Sequence, residues 1–80
     1  LSDGEYEVIE AEIIETSELI NKEIKNSNLP DELRIGAVLR DKKIIIPRSN
    51  FVFKKDDRVV FIVKKDSISF VENIFRLSSV

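Results

Sequence analysis

Five consecutive apolar residues at positions 59–63 lie between the charged segments 54–58 and 64–66. Successive side chains of a strand point to opposite faces of the sheet, so a strand that is apolar at every position is buried on both faces. This stretch therefore predicts a central strand, and the other elements have to be arranged around it.

Other segments predict three more strands. Residues 9–13 alternate between apolar side chains and glutamates, which is the two-residue period of a half-buried strand. Residues 35–40 and 44–46 are apolar segments separated by the polar pair Asp41-Lys42, which predicts a hairpin. Pro47 has no amide hydrogen to donate, so it predicts the end of the third strand.

Two helices are predicted on capping and periodicity. Thr16 or Ser17 can cap a first helix that ends near residues 26–28. Asp66 or Ser67 can cap a last helix, in which apolar residues recur at positions 70, 71, 74 and 75. The prediction is an α+β fold, a β-α-β-β-β-α unit with both helices on one face of a small sheet.

The length of the chain limits the domain count to one, because 80 residues supply a single modest core. We predict a single domain at residues 5–77, with flexible ends at 1–4 and 78–80. The sequence begins at Leu1 and contains no methionine, so we expect it to be part of a longer protein. Its apolar runs are much shorter than the roughly 20 residues of a membrane-spanning helix.

The predicted sheet has apolar side chains for a second face. If side chains alternate uniformly along residues 35–40, Val38 points to the opposite face from its neighbours Ala37 and Leu39. The predicted residues of the second face are Val38, Ile45, Val60 and Ile62. An identical copy could cover it, since exposed apolar patches are rare on monomers and symmetric dimers are common. The predicted interface consists of Ile44, Ile45, Ile46, Val60 and Ile62. Loops folding over the face are the alternative.

The composition argues against catalysis. Histidine and cysteine are both absent, which removes the usual nucleophile-base pairs and the commonest zinc ligands. The neighbours Asp56 and Asp57 fit a turn better than a metal site, and Gly4 and Gly36 belong to no phosphate-binding loop. We therefore expect no enzyme activity, no metal and no cofactor in this domain, although a small regulatory ligand stays open.

Nucleic acid is also not an expected partner. The net charge is -2, and although basic residues flank the hairpin and the fourth strand, acidic residues lie among them. The sequence offers no reading helix and no set of surface aromatics for stacking. A solvated rim of the sheet is the simpler interpretation of these lysines and arginines.

Two segments carry a family resemblance. The stretches IGAVLRDKKIIIP (35–47) and KKDDRVVFIV (54–63) resemble the core pattern of the TrkA C-terminal domain family, also called RCK_C. Residues 17–24 resemble the first-helix motif of that family. Asn21 and Asp56 stand where the family usually has glycine, and both residue types tolerate a positive φ better than other non-glycine residues do.

The resemblance implies a cytoplasmic regulatory domain that senses a ligand and dimerises. It implies a preceding dinucleotide-binding domain and a membrane potassium transporter subunit as partner, with the protein peripheral to the inner membrane. The end at residues 75–77 resembles the close of a regulator chain, so this would be its last domain. A domain appended to another transporter or enzyme, and a pure dimerisation module without ligand, are the alternatives.

A ligand site is predicted where arginines, an amide side chain and apolar residues converge in the sequence, around the hairpin and the loop that follows it. Some members of the family hold a cyclic dinucleotide or a metal ion between two copies. We predict that a ligand lies between two copies, near the dyad, and that the ligand-binding residues are Arg40, Pro47, Arg48 and Asn50.

Overall fold

The computed structural model describes residues 5–77, and the predicted flexible ends 1–4 and 78–80 lie outside the described residues. Its elements are β1 (Tyr6–Glu12), β2 (Leu33–Arg40), β3 (Lys43–Ile45), β4 (Arg58–Lys64), α1 (Ile68–Glu72) and β5 (Arg76–Leu77), with 3-10 helices at Ile24–Asn26 and Lys65–Ser67. The predicted α+β class is confirmed. The predicted domain limits, 5–77, stay a prediction.

The strands form one antiparallel sheet with the order β3-β2-β4-β1-β5. The central position of β4 in the sheet is as predicted from its apolar run, but within the chain only one face of β4 is buried. Its side chains divide between two faces: Val59, Phe61 and Val63 are buried in the core, whereas Ile62 is exposed. We call the face that carries Val59, Phe61 and Val63 the covered face, and the face that carries Ile62 the open face.

The β2–β3 hairpin turns at Asp41 and Lys42, as predicted. Both residues have positive φ, 52° and 65°, which is the conformation of a two-residue type I′ turn. The right-handed twist of the flanking strands favours this turn, even though neither residue is glycine. Lysine is the less suitable of the two, because it lacks the short polar side chain that helps aspartate in the left-handed region.

A β-bulge at Gly36 changes the predicted assignment of side chains to faces. Ile35 pairs with Phe61 and Ala37 pairs with Val60, so two steps along β2 match one step along β4. Alternation restarts after the bulge and brings Val38 to the covered face, where it is fully buried. The prediction that Val38 and Ile45 lie on the second face is therefore wrong.

The first predicted helix is replaced by turns. The Ser17 hydroxyl accepts a hydrogen bond from the Leu19 amide, 3.1 Å away, which closes a local turn and does not cap a helix. Asn21 then has φ 67°, and its amide donates to the carbonyl of Phe53 at 2.9 Å. A left-handed residue cannot continue an α-helix, so only the 3-10 helix Ile24–Asn26 follows.

The last helix is shorter than predicted, since α1 has five residues. Ser67 occupies its N-cap position, but no side-chain hydrogen bond caps the helix. Val71 and Phe75 are buried as expected. Phe70, which was predicted to lie on the apolar side, is 50% exposed because it projects away from the sheet.

The core lies between the covered face, α1 and the irregular segments 13–29 and 51–53. Its buried apolar residues are Ala11, Ile13, Leu19, Leu33, Val38, Phe53, Val59, Phe61, Val63, Val71 and Phe75. Phe75 stacks on Phe61 at 5.1 Å between ring centroids and meets Phe53 edge-on at 6.5 Å. These contacts join the turn after α1 to both the sheet and the loop layer. None of the helices that the structure describes is long and apolar enough to cross a membrane.

Candidate ligand cavity and its anchoring ion pair

The segment after β3 runs back across the molecule and pairs with the segment before β2. We call residues 47–53 the strap. Its backbone accepts hydrogen bonds from three amides, those of Asn21, Ile24 and Lys25, each at 2.9 Å, and the Phe53 amide donates to the Lys22 carbonyl at 3.1 Å. The strap is thus held by a short ladder of backbone bonds outside the main sheet.

Arg40 ties the strap to the sheet. At the end of β2, its guanidinium donates from Nε to Asp57 Oδ1 at 2.8 Å and from Nη2 to Asp57 Oδ2 at 2.7 Å. Nη2 also donates to the carbonyl of Val52 at 2.9 Å, and the guanidinium lies 4.7 Å from the centroid of the Phe51 ring. One side chain therefore contacts the turn before β4, the strap backbone and a strap aromatic ring.

Asp57 is almost completely buried, with 1% of its side chain exposed. Besides the two bonds from Arg40, its Oδ2 accepts a hydrogen bond from the Lys54 amide at 2.8 Å. The neighbouring Asp56 has φ 72°, which confirms the prediction that this aspartate takes a glycine-like conformation. The turn orients the carboxylate inward, and the arginine neutralises a charge that would otherwise be costly to bury.

The ion pair also acts on the arginine. Hydrogen bonding to Asp57 raises the pKa of the Arg40 guanidinium, assisted by the nearby negative charges of Asp57 and Asp41 and opposed by partial burial. The group therefore stays charged across the physiological pH range. Its Nε and Nη2 are engaged by Asp57 and Val52, which leaves it poorly placed to serve as a ligand-reading side chain.

A cavity of about 350 Å³ lies at the other end of the strap, beside residues 47–49. Its lining consists of Ile24, Lys25, Asn28, Leu29, Pro30, Asp31, Leu33, Arg34, Ile35, Pro47, Arg48 and Ser49. Three cationic side chains and one carboxylate surround an apolar floor. Such a cavity suits an anion with an apolar or aromatic body.

The structure brings together only part of the predicted ligand site. Pro47 and Arg48 line the cavity, whereas Arg40 and Asn50 do not. Asn50 is exposed in a turn of the strap. The sequence analysis missed Lys25 and Arg34, which lie 23 and 14 residues before Arg48 in the chain; the short apolar segment 29–30 between them was the only local signal of a cavity wall.

Two of these cations have partners of their own. Lys25 lies 3.9 Å from a carboxylate oxygen of Glu23, and Arg34 donates to the backbone carbonyls of Asp31 and Leu33 at 2.7 and 3.0 Å. Within residues 5–77, the side chain of Arg48 makes no hydrogen bond or ion pair. It is the cation most available to a ligand.

A second groove of about 700 Å³ lies between the early turns and α1. Phe70, Ile74 and Phe75 contribute its apolar wall, and Glu18 and Glu72 contribute carboxylates. Among the described residues, no group of three or more acidic, histidine or cysteine side chains is placed to hold a metal ion.

The open face carries most of the predicted interface residues. Ile62 pairs with Val8, Val60 with Ala37 and Ile44 with Leu39, and directly paired residues share a face. Ile44 is 71% exposed and Val8 is 62% exposed. An ion pair between Glu10 and Arg58 crosses the same face.

The remaining interface residues lie elsewhere. Ile45 pairs with Val38 and packs against the core, so it belongs to the covered face. Ile46 follows β3 and is 74% exposed. The predicted interface set therefore combines residues from two sides of the sheet.

The comparisons with known proteins all indicate the same family of domains. The model of the TrkA-C domain matches residues 8–76. A Trk system potassium uptake protein TrkA of Azorhizobium caulinodans is 41% identical over 78 residues, 98% of this chain and 17% of the relative. A Trk system potassium uptake protein TrkA homolog of Archaeoglobus fulgidus is 33% identical over 64 residues, 80% of this chain and 15% of the relative. The chain thus spans less than a fifth of these relatives.

A solved structure has the same fold. A structure described as an RCK domain with cda superposes with a TM-score of 0.72 at 14% sequence identity. The match covers 86% of this chain and 97% of that chain. The arrangement of strands and loops described above is therefore a known domain architecture.

Proposed function

The chain belongs to the TrkA-C domain family, and on that premise we propose that it is a non-catalytic regulatory domain of a potassium-uptake protein, which binds a small anionic ligand and pairs with a second copy. Curated relatives described as Trk system potassium uptake proteins support the potassium context. The absence of histidine, cysteine and a glycine-rich loop from the sequence supports a binding role.

The rest of the proposal concerns the longer protein. The chain spans 17% of its Azorhizobium relative. For the longer protein the proposal includes a preceding dinucleotide-binding domain, a membrane potassium transporter subunit as partner and a cytoplasmic position at the inner membrane. The sequence before Leu1 provides the test. A strand followed by a Gly-x-Gly-x-x-Gly turn and a helix would support this context, whereas a series of membrane spans would favour the alternative of a domain appended to another transporter.

The ligand proposal rests on the cavity next to the strap. Lys25, Arg34 and Arg48 give it an excess of positive charge over the single carboxylate of Asp31. Guanidinium groups form charge-assisted hydrogen bonds with phosphates, and the apolar floor accommodates a base or ring. A phosphate-bearing small molecule such as a cyclic dinucleotide fits this chemistry, and the structural neighbour described with cda is consistent with it.

A thermal-shift screen tests the ligand proposal with cyclic dinucleotides, adenine nucleotides and divalent ions. A ligand at about 100 times its dissociation constant should stabilise the fold by roughly 2.7 kcal/mol. Arg48→Ala should remove most of that shift, and Lys65→Ala, which changes an exposed lysine outside the cavity, should leave it intact. A shift that survives Arg48→Ala and Arg34→Ala would refute the assignment of this cavity. If the chain dimerises but none of these compounds stabilises it, the alternative of a pure dimerisation module without ligand is favoured.

The dimer proposal rests on the open face. Val8, Val60, Ile62 and Ile44 form an apolar surface that no element of the described chain covers. Burying such a surface against an identical copy removes it from water with one symmetric contact, and a stable contact of this kind buries on the order of 1,200 to 2,000 Å².

Sedimentation of the wild type and of Ile62→Asp measures this interface. The charge should convert the dimer to a monomer without unfolding it, because Ile62 is exposed in the monomer. Phe70→Asp is the matched control, since Phe70 is exposed on a different surface. Ile45→Asp is unsuitable, because Ile45 packs against the core. A wild-type monomer at high micromolar concentration would contradict the proposal.

A further inference from the structure

The cavity wall depends on an ion pair that does not itself line the cavity. We propose that Arg40 and Asp57 are positioning residues for the ligand cavity: their ion pair fixes the strap, and through it the wall formed by residues 24–25 and 48–49, without touching the ligand. This inference rests on the cavity assigned under the proposed function.

The path from the ion pair to the wall is short. Arg40 Nη2 holds the Val52 carbonyl, and its guanidinium lies over the ring of Phe51. The carbonyl of that same Phe51 accepts the hydrogen bond from the Ile24 amide, and the Ser49 carbonyl accepts the bond from the Lys25 amide. Ile24, Lys25 and Ser49 all line the cavity.

The two ends of the strap differ in how tightly they are packed. Pro47, Arg48 and Ser49 are half-buried or exposed, so this end of the strap has little packing of its own. Asp57 is buried and receives hydrogen bonds from two sides. A rigid anchor at one end and a loosely packed end at the cavity make the position of Arg48 depend on Arg40.

If Arg40 instead contacts an anionic ligand directly, the predicted effect of Asp57→Asn on ligand affinity is the opposite. Asp57→Asn keeps the shape of the side chain but removes its charge. If Arg40 reads the ligand, releasing it from Asp57 and deleting a negative charge should tighten binding of an anion. If the ion pair positions the wall, the same substitution loosens the strap and weakens binding.

The ligand-independent test is amide hydrogen exchange on the 80-residue chain. Asp57→Asn should lower the protection of the Ile24 and Lys25 amides by about tenfold or more relative to wild type, whereas amides of the paired strands β1 and β4 should change much less. Arg40→Lys, which keeps the charge but loses the bidentate geometry, should show a smaller change of the same kind. Unchanged protection at Ile24 and Lys25 overturns the inference.

The second measurement is binding of cyclic di-adenosine monophosphate to the same variants by calorimetry. Asp57→Asn should raise the dissociation constant about tenfold, and Val71→Ala, a core change in α1 outside the cavity lining, should not raise it at comparable loss of stability. Tighter binding, or equal weakening by Val71→Ala, overturns the positioning role. If the wild type binds no probe, the proposed ligand function fails for these probes, and hydrogen exchange alone decides whether the ion pair holds the wall.

Discussion

Inserting one alanine between Ile35 and Gly36 should destabilise the domain strongly, whereas Gly36→Ala should be tolerated. The bulge at this position allows Ile35 and Val38 to share the covered face although they are three residues apart. A second extra residue exceeds this one-residue bulge, so regular alternation sends the N-terminal half of β2 to the wrong face. That half would then expose Leu33 and Ile35 and direct Arg34 into the core.

The magnitude follows from burial. Leu33 is 4% exposed and Ile35 is partly buried against the core. Each apolar side chain moved to water costs about 1.5–3 kcal/mol, so the two together cost about 3–6 kcal/mol before the charge of Arg34 is counted. A domain of this size is stable by only about 4–12 kcal/mol. The insertion therefore removes a quarter or more of the stability, and the charge of Arg34 adds to that loss.

The alanine substitution leaves the bulge in place. A Cβ at position 36 would meet the carbonyl oxygen of Val60 at 3.7 Å, an ordinary van der Waals contact, and the backbone there does not need a positive φ. Gly36→Ala should therefore stabilise the fold by up to about 1 kcal/mol through the unfolded state. Urea unfolding followed by circular dichroism measures both variants. Equal destabilisation by Gly36→Ala and by the insertion would show that the reasoning from register is wrong.

Three further predictions concern single side chains, each checked by the same urea unfolding. Lys42→Gly should stabilise the hairpin by about 0.5–1 kcal/mol, because it relieves a left-handed lysine; a loss would show that the lysine contributes more than its strain. Phe53→Ala should cost about 3–5 kcal/mol and Phe70→Ala less than about 0.5 kcal/mol, since the first is fully buried and the second half exposed. Arg40→Met should cost more than Arg40→Met combined with Asp57→Asn, because the single change leaves a buried charge unpaired; strict additivity would refute this.

The regular part of the fold was predictable from local signals. The apolar run of β4 predicted its central position, and the polar pair Asp41-Lys42 predicted the hairpin turn. The left-handed conformations expected at Asn21 and Asp56 are also present. These features depend on a few neighbouring residues, whose conformational preferences act in the same direction as the final fold.

The errors arose where tertiary contacts override local preference. The first helix was predicted from an apolar pattern that equally suits turns, and the backbone bond from Asn21 to the strap decides between them. A single glycine in β2 gave no indication of whether it marked a bulge, so Val38 and Ile45 were assigned to the wrong face. The ligand cavity was half predicted, because Lys25 and Arg34 reach it only through the folding of separate segments.

These contacts give the sheet and the irregular segments of this small domain different roles. The sheet is regular and fixes the core, while the candidate site is built from two irregular segments that pair with each other and from the start of β2. Irregular segments need residues with positive φ to change direction. Asn21 takes this conformation within the pairing, and Asp56 takes it just after the strap. Irregular backbone also needs anchors other than a sheet ladder, which Arg40 supplies through Val52 and Asp57. Changes to this ion pair should therefore alter the cavity before they alter the sheet.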